Sequence, residues 1–278
     1  MRAFQCGVAG LFKVSVKTAF TLLSMANALE CHGGDQMISY SALAPWYDAL
    51  TEDVPYEEFA AFYNGEFKNR GRKIKTVLDL GCGTGTMTCL LAEMGYDMIA
   101  VDASEDMLSV AQSKTSELPE LPLLLCQDIA ELDLYGTTDA AVSCLDTLNY
   151  VPPTKLAQVF QRLSLFIEPG GLLLFDIHTP ERLKAMDGQV NVDEADGVYC
   201  VWQAVFDDAC LCYAMDIFVE TSDGIWHREF EEHVEYAHAS DEIETLLAAA
   251  GFIDICRIDG PLSEQGRLHF RAVNGRIL

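Results

Sequence analysis

A glycine-rich turn between a short apolar strand and a helix constrains this chain more than any other feature. Thr76-Val-Leu-Asp-Leu80 reads as a strand, Gly81-Cys-Gly-Thr-Gly85 as the turn, and residues 86–94 as the helix. Gly95 stands where that helix should end, and a second strand follows over residues 97–101. The pattern repeats with a helix over 105–116, strands over 123–126 and 138–144, and a helix over 153–166. Pro169-Gly-Gly171 then turns into an apolar strand over 172–177. Strands and helices alternating at this pitch build βαβ units, whose strands lie parallel.

The alternation breaks at about residue 180. Residues 198–206, 210–220 and 225–237 read as three strands joined by polar turns at Asp207-Asp208 and Ser222-Asp-Gly224. No helix separates them, so they should run antiparallel. A helix over 240–250, with Gly251 behind it, and strands over 252–258 and 268–273 resume the first pattern. The expected fold is α/β, a doubly wound and mostly parallel seven-stranded sheet. An antiparallel β insertion at 180–238 follows its fifth strand. Ligands bind at the carboxyl ends of such strands, so the insertion is placed to act as a substrate lid.

Residues 1–36 stand apart. They carry Arg2, Lys13 and Lys17 against Glu30 and Asp35, in a chain whose formal charge is −25. Lys13 and Lys17 interrupt what would be the apolar core of a signal peptide. Gly33-Gly-Asp-Gln-Met37 can be encoded as GGA-GGT-GAT-CAG-ATG, a ribosome-binding sequence ahead of a start codon. Residues 1–36 therefore read as a leader, and 37–278 as the folded domain. The 43 acidic and 18 basic residues repel a phosphate backbone and anionic lipid. That disfavours nucleic acid and membrane as partners and suits a neutral or cationic small molecule. The ten cysteines form no C-x-x-C pair and read as thiols of a reducing, cytoplasmic compartment, with no metal site expected.

The turn has acidic neighbours. Asp79 lies two residues before it, where a carboxylate would repel a pyrophosphate and attract an ammonium or sulfonium. Position 86 is Thr, where a dinucleotide fingerprint wants Gly or Ala. Asp102 ends the next strand, 17 residues beyond Gly85, where a carboxylate can bind both hydroxyls of a ribose. The combined demand is for a nucleoside with a cationic tail and no phosphate. S-adenosyl-L-methionine meets it.

Val77-Leu-Asp-Leu-Gly-Cys-Gly-Thr-Gly85 resembles motif I of the class I S-adenosylmethionine-dependent methyltransferases. Ala100-Val-Asp-Ala-Ser-Glu-Asp-Met107 is similar to the family's second motif, and Glu168-Pro-Gly-Gly171 and Ala250-Gly-Phe252 to later ones. The resemblance covers residues 37–278, and it points to a bacterial branch beside amino-sugar and other N- or O-methyltransferases. It implies that Asp79, Gly81, Gly83 and Gly85 surround the methionine part of the cofactor. Asp102 would take the ribose, Met107 would pack on the adenine, and Asp128 and Ile129 would hold its edge and plane. Cys144 and Leu145 would form the floor beneath the sulfonium, with Tyr40 and Tyr47 closing the pocket.

Methyl transfer is an in-line displacement that mainly needs alignment and exclusion of water. A base is required only if the nucleophile arrives protonated. His178, His233 and Asp146 are the leading candidates to meet a small-molecule acceptor, with Asn149, Tyr150, Asp176, Trp202 and His227 behind them. The segment Cys144-Leu-Asp-Thr-Leu-Asn-Tyr150 departs from the Asn-Pro-Pro-Tyr pattern associated with adenine or glutamine methylation. Transfer to an N or O atom of a small molecule is the expected reaction. A methyltransferase for RNA or protein and a cofactor-binding, non-catalytic homologue are the alternatives.

Overall fold

The computed structural model describes residues 40–276, apart from 196, 222 and 223. The leader reading of residues 1–36 and the start at Met37 lie outside the described residues. Among these residues a one-turn helix, α1 (Tyr47–Leu50), precedes a longer one, α2 (Tyr56–Asn69). The alternating unit then runs β1 (Thr76–Leu80), α3 (Thr86–Glu93), β2 (Asp97–Asp102), α4 (Glu105–Thr115), β3 (Leu123–Cys126), β4 (Thr138–Ser143), α5 (Pro153–Phe166) and β5 (Ile167–His178). The insertion holds α6 (Pro180–Ala185), β6 (Val190–Ala195), β7 (Val198–Asp207), β8 (Cys210–Glu220) and β9 (Trp226–Tyr236). The chain closes with α7 (Ser240–Ala249), β10 (Phe252–Ile258) and β11 (Arg267–Asn274).

The main sheet has seven strands in the order β10-β11-β5-β4-β1-β2-β3, and only β11 runs against its neighbours. Alternate side chains on a strand face opposite ways, and here both faces are apolar. Leu78, Leu80, Leu173, Phe175 and Phe270 turn to one face and pack with Phe160 and Leu163 of α5 and Leu247 of α7. Val77, Val142, Leu172 and Leu174 turn to the other and pack with Phe59, Tyr63 and Phe67 of α2 and Leu91 of α3. Asp79 and Asp176 share the parity of this second set, so both carboxylates are carried onto the α2–α3 face and fully buried.

The insertion is a second, antiparallel sheet in the order β6-β7-β8-β9. The three strands expected from the sequence are present. α6 and β6 are additions, because the alternation of Val190-Asn-Val-Asp193 is too short to distinguish a strand from a polar loop. The aromatics divide between the two faces. Trp202, Phe206 and Tyr213 point inward against Leu183 and Met186. Tyr199, Phe218, Trp226 and Phe230 share the other parity, and Trp226 and Phe230 are exposed there. Among the described residues no helix is long and apolar enough to cross a membrane.

Pro169-Gly-Gly171, expected to be a turn, lies inside β5. The pairing jumps from Thr138↔Ile167 to Ala140↔Leu172, so the extra residues form a bulge and the strand continues through them. A Cβ on Gly171 would come within 2.7 Å of the carbonyl oxygens of Asp139 and Glu168. Gly171→Ala should therefore destabilise the protein by about 1–3 kcal/mol, the usual scale of an overpacked site. Urea unfolding would measure it, and an unchanged midpoint would show that the bulge relaxes freely.

Candidate active site

Gly81, Gly83 and Gly85 all have positive φ, so the turn between β1 and α3 is wound in a way that L side chains rarely adopt. A Cβ at Gly81 would collide with the Thr147 side chain, whereas one at Gly83 would meet open space. The backbone at Gly83 is thus bare toward the site. Asp79 Oδ2 accepts a hydrogen bond from the Thr88 hydroxyl at 2.5 Å. Its Oδ1 is buried and has no hydrogen-bond partner among the described residues. Burial drives its pKa up to about 6, against the pull of the Thr88 bond and with a smaller push from Asp102. An unpaired buried carboxylate oxygen next to bare backbone suits an incoming ammonium, as the cofactor's methionine end would supply.

Asp102, at the end of β2, accepts from Gly83 N–H at 2.8 Å and from Ser104 N–H at 2.9 Å. Burial raises its pKa, opposed by those backbone bonds. Each oxygen keeps a second lone pair, so the carboxylate can still receive ribose hydroxyls. Met107 is buried in the first turn of α4, and its N–H is capped by Ser104 at 3.3 Å. Asp128 caps a short 3₁₀ turn through Ala130 N–H and faces Lys155 at 3.5 Å, and Ile129 beside it is buried. Asp102, Met107, Asp128 and Ile129 therefore stand at the ends of β2 and β3, beside the glycine turn.

Cys144 is buried at the end of β4, and Leu145 and Asp146 after it both have left-handed backbone, φ 57° and 59°. Asp176 explains this unusual pair. It accepts the N–H groups of Leu145 at 3.0 Å and Asp146 at 3.2 Å. Arg267, the first residue of β11, pairs with Asp176 and reaches Asp146 Oδ1 at 2.8 Å and His178 Nε2 at 2.9 Å. His178 Nδ1 faces Glu235 Oε2 at 3.0 Å. Burial lowers the His178 pKa, but the carboxylates of Asp146 and Glu235 outweigh it and the net direction is up. Burial lifts Asp146 to about 6, while His178 and Arg267 pull it down.

Asp146, His178 and Glu235 bring one ligand atom each within 4.8 Å of one another. The two carboxylates lie against opposite ring nitrogens, and Arg267 already supplies a cation to Asp146.

The remaining expected residues divide clearly. His233 is fully buried on the inner face of β9, 3.1 Å from Glu231 through Nε2, with Nδ1 unpartnered among the described residues. Its ring packs on Tyr40 at 4.5 Å, and Tyr40 touches both Tyr47 and Tyr150. Glu231 also accepts the N–H of Ala42 at 2.6 Å, which ties the entry segment to the insertion. Tyr47 shares a hydrogen bond with Tyr56, and burial raises the pKa of both phenols. Asn149 clamps the backbone of His178 and Tyr236. Trp202 donates to Asp193 at 2.7 Å within the insertion, and His227 is exposed at the far end of β9. These two are not gathered with the cluster. Arg267 and Glu235 are the residues that sequence reasoning missed. Each is a single charge in an ordinary strand, with no local motif to mark it.

Residues 77–171 match the family model described as a methyltransferase domain. YqeM of Bacillus subtilis, named as a methyltransferase, is 30% identical over 250 residues, covering 86% of this chain and 98% of YqeM. The crystal structure of an S-adenosylmethionine-dependent methyltransferase from Clostridium acetobutylicum superposes with a TM-score of 0.76 at 28% identity, covering 85% of this chain and 99% of that one. CalS10 of Micromonospora echinaspora, an amino pentose methyltransferase, shares the fold with a TM-score of 0.68 at 21% identity, covering 87% of this chain and all of CalS10. With a relative of this identity matched over almost its whole length, the chain belongs to the class I S-adenosylmethionine-dependent methyltransferases, and S-adenosylmethionine is its methyl donor.

Proposed function

We propose that this enzyme methylates an N or O atom of a small-molecule acceptor held between the carboxyl ends of β4 and β5 and the inner face of β9. The observation that carries this reading is the seating of β9, which sets Glu235 against His178 and lays His233 beside Tyr40 and Tyr150. Acidic groups and tyrosines surround the place where an acceptor would meet the methyl group. An acidic chain of net charge −25 offers little to a nucleic acid. The fold shared with an amino pentose methyltransferase agrees with a small acceptor.

In this reading Asp79 and the backbone of Gly81, Gly83 and Gly85 hold the methionine part of the cofactor. Asp102 holds the ribose, and Met107, Asp128 and Ile129 hold the adenine. Cys144 and Leu145 form the floor, and Tyr40 and Tyr47 close the pocket. When bound, S-adenosylmethionine supplies a methyl carbon already activated by its sulfonium. The chain orients the acceptor, keeps water out and takes a proton where one must leave. Asp146 is the carboxylate best suited to that proton, because its pKa near 6 leaves it ionised at neutral pH and still basic. His178 has both ring nitrogens engaged. His233 keeps an open nitrogen and acts as an acceptor contact within the aromatic wall. Residues 180–238 serve as the lid.

Three outcomes follow. Asp102→Ala should weaken binding of S-adenosylhomocysteine by about 1.5–3 kcal/mol, the scale for hydrogen bonds to a charged group. Calorimetric titration measures this, and an unchanged dissociation constant would take Asp102 out of the ribose site. The same titration from pH 7.5 to 5 tests Asp79. Protonation below about pH 6 removes its attraction for the ammonium, so affinity should fall as pH falls, by about tenfold at pH 5. A flat profile would exclude Asp79 from that contact. Finally, radiolabelled cofactor offered with a panel of aliphatic amines and alcohols and with total cellular RNA should label a small molecule. Asp146→Asn should reduce that labelling by about 10²-fold or more, the low end of what a positioned base contributes. Label entering RNA alone would overturn the small-acceptor reading.

A further inference from the structure

One buried cation is unexplained by the reaction itself. Arg267 opens β11, the antiparallel strand beside β5, and its register partner is His178. Its side chain is 7% exposed, and that of Asp176 is wholly buried. Burying an arginine so deeply is costly unless its charge is met. Here the charge is met by two carboxylates, Asp176 and Asp146, and the guanidinium is also bonded to one imidazole nitrogen.

Two consequences follow from the chemistry of these groups. Consecutive left-handed residues that are not glycine persist only where surroundings hold them. Asp176 holds Leu145 and Asp146 by their N–H groups, and Arg267 balances the charge of Asp176. Arginine has donors and no acceptor, so the bond at 2.9 Å requires His178 Nε2 to accept. The neutral ring then carries its proton on Nδ1 and donates it to Glu235. The groups facing His178 are Asp146 from the loop after β4, Glu235 from β9, with Tyr213 of β8 bonded to it, and Arg267 from β11.

We propose that Arg267 is a positioning residue for methyl transfer: it fixes the Asp146 carboxylate at the end of β4 and keeps His178 Nε2 occupied, so that Asp146 and not His178 meets the acceptor. This rests on the reading that the acceptor lies against Asp146. Arg267 touches neither cofactor nor acceptor in this scheme and acts through its three partners.

The test uses the full chain with ¹⁵N-labelled histidine. Long-range proton–nitrogen spectra report the tautomer and titration of each imidazole, and His178→Gln identifies the His178 signals. The wild-type ring should be the Nδ1–H tautomer. In Arg267→Met it should populate both tautomers, and its titration midpoint should rise by about one pH unit or more, because a cation at 2.9 Å no longer opposes protonation. The kcat measured with the amine and alcohol panel should drop about tenfold or more, while the dissociation constant of S-adenosylhomocysteine changes less than about twofold. Arg267→Lys keeps the charge but cannot present a fork to three partners. It should restore the midpoint and leave the tautomers mixed, and it carries the test alone if Arg267→Met does not fold. Wild-type His178 spectra in both variants, or altered spectra with wild-type kcat, would overturn the proposal. Asp146→Asn separates it from the reading beneath it. Wild-type kcat in Asp146→Asn would sink the acceptor reading. Loss of turnover in Asp146→Asn with wild-type spectra and kcat in the Arg267 variants would sink the positioning role alone.

Discussion

The buried pair of Asp176 and Arg267 is the joint on which this architecture turns. Asp176 sits near the end of β5 and Arg267 at the start of β11, so their contact fastens two neighbouring strands where the parallel sheet presents its carboxyl ends. The same carboxylate gathers the loop after β4, and the same guanidinium reaches Asp146 and His178. Removing one partner of such a pair typically costs about 3–5 kcal/mol, because the other is left as an uncompensated buried charge. The pair is therefore more than a local bond. The left-handed backbone at Leu145 and Asp146, the orientation of His178 and the seat for Glu235 of the insertion depend on it.

A second set of contacts binds the entry segment to both halves of the site. Asp48 of α1 accepts from Thr84 of the glycine turn at 2.6 Å and pairs with Lys114 of α4 at 2.7 Å. A few residues earlier, the backbone of Ala42 and Leu43 binds Glu231 of β9. Residues 40–50 thus bridge the glycine turn and the antiparallel insertion. Their tyrosines, Tyr40 and Tyr47, are partly buried, and desolvation raises the phenol pKa values and keeps them neutral.

Much of this was readable along the chain because it depends on local pattern. The strands over 76–80, 97–101 and 123–126 and the helix over 153–166 announce themselves by apolar runs, a helical period and glycine or proline at their ends. The structure agrees with them to within a residue. The glycine turn is a local device as well, since the φ values it needs belong to Gly81, Gly83 and Gly85 themselves. Other features were hidden. Gly171 looks like part of a turn, yet the pairing of β4 with β5 draws it into a bulge. β6 is six residues of mixed polarity that become a strand only because β7 pairs with them.

The amino-acid order alone determined the doubly wound sheet, the place of the antiparallel insertion and the class of cofactor. Each of these rests on neighbours within a few residues, where backbone geometry and side-chain period act directly. Tertiary structure alone decided which distant charges share one buried space. Asp146, Asp176, His178, Glu235 and Arg267 come from β5, β9, β11 and the loop after β4, and Arg267 stands 121 positions from Asp146. No spacing rule links them. They meet because β11 inserts beside β5 in antiparallel register, with Arg267 opposite His178, and because β9 folds back over the strand ends. Once they are buried together, each charge must find its partner inside the protein, and that demand sets the geometry of the site.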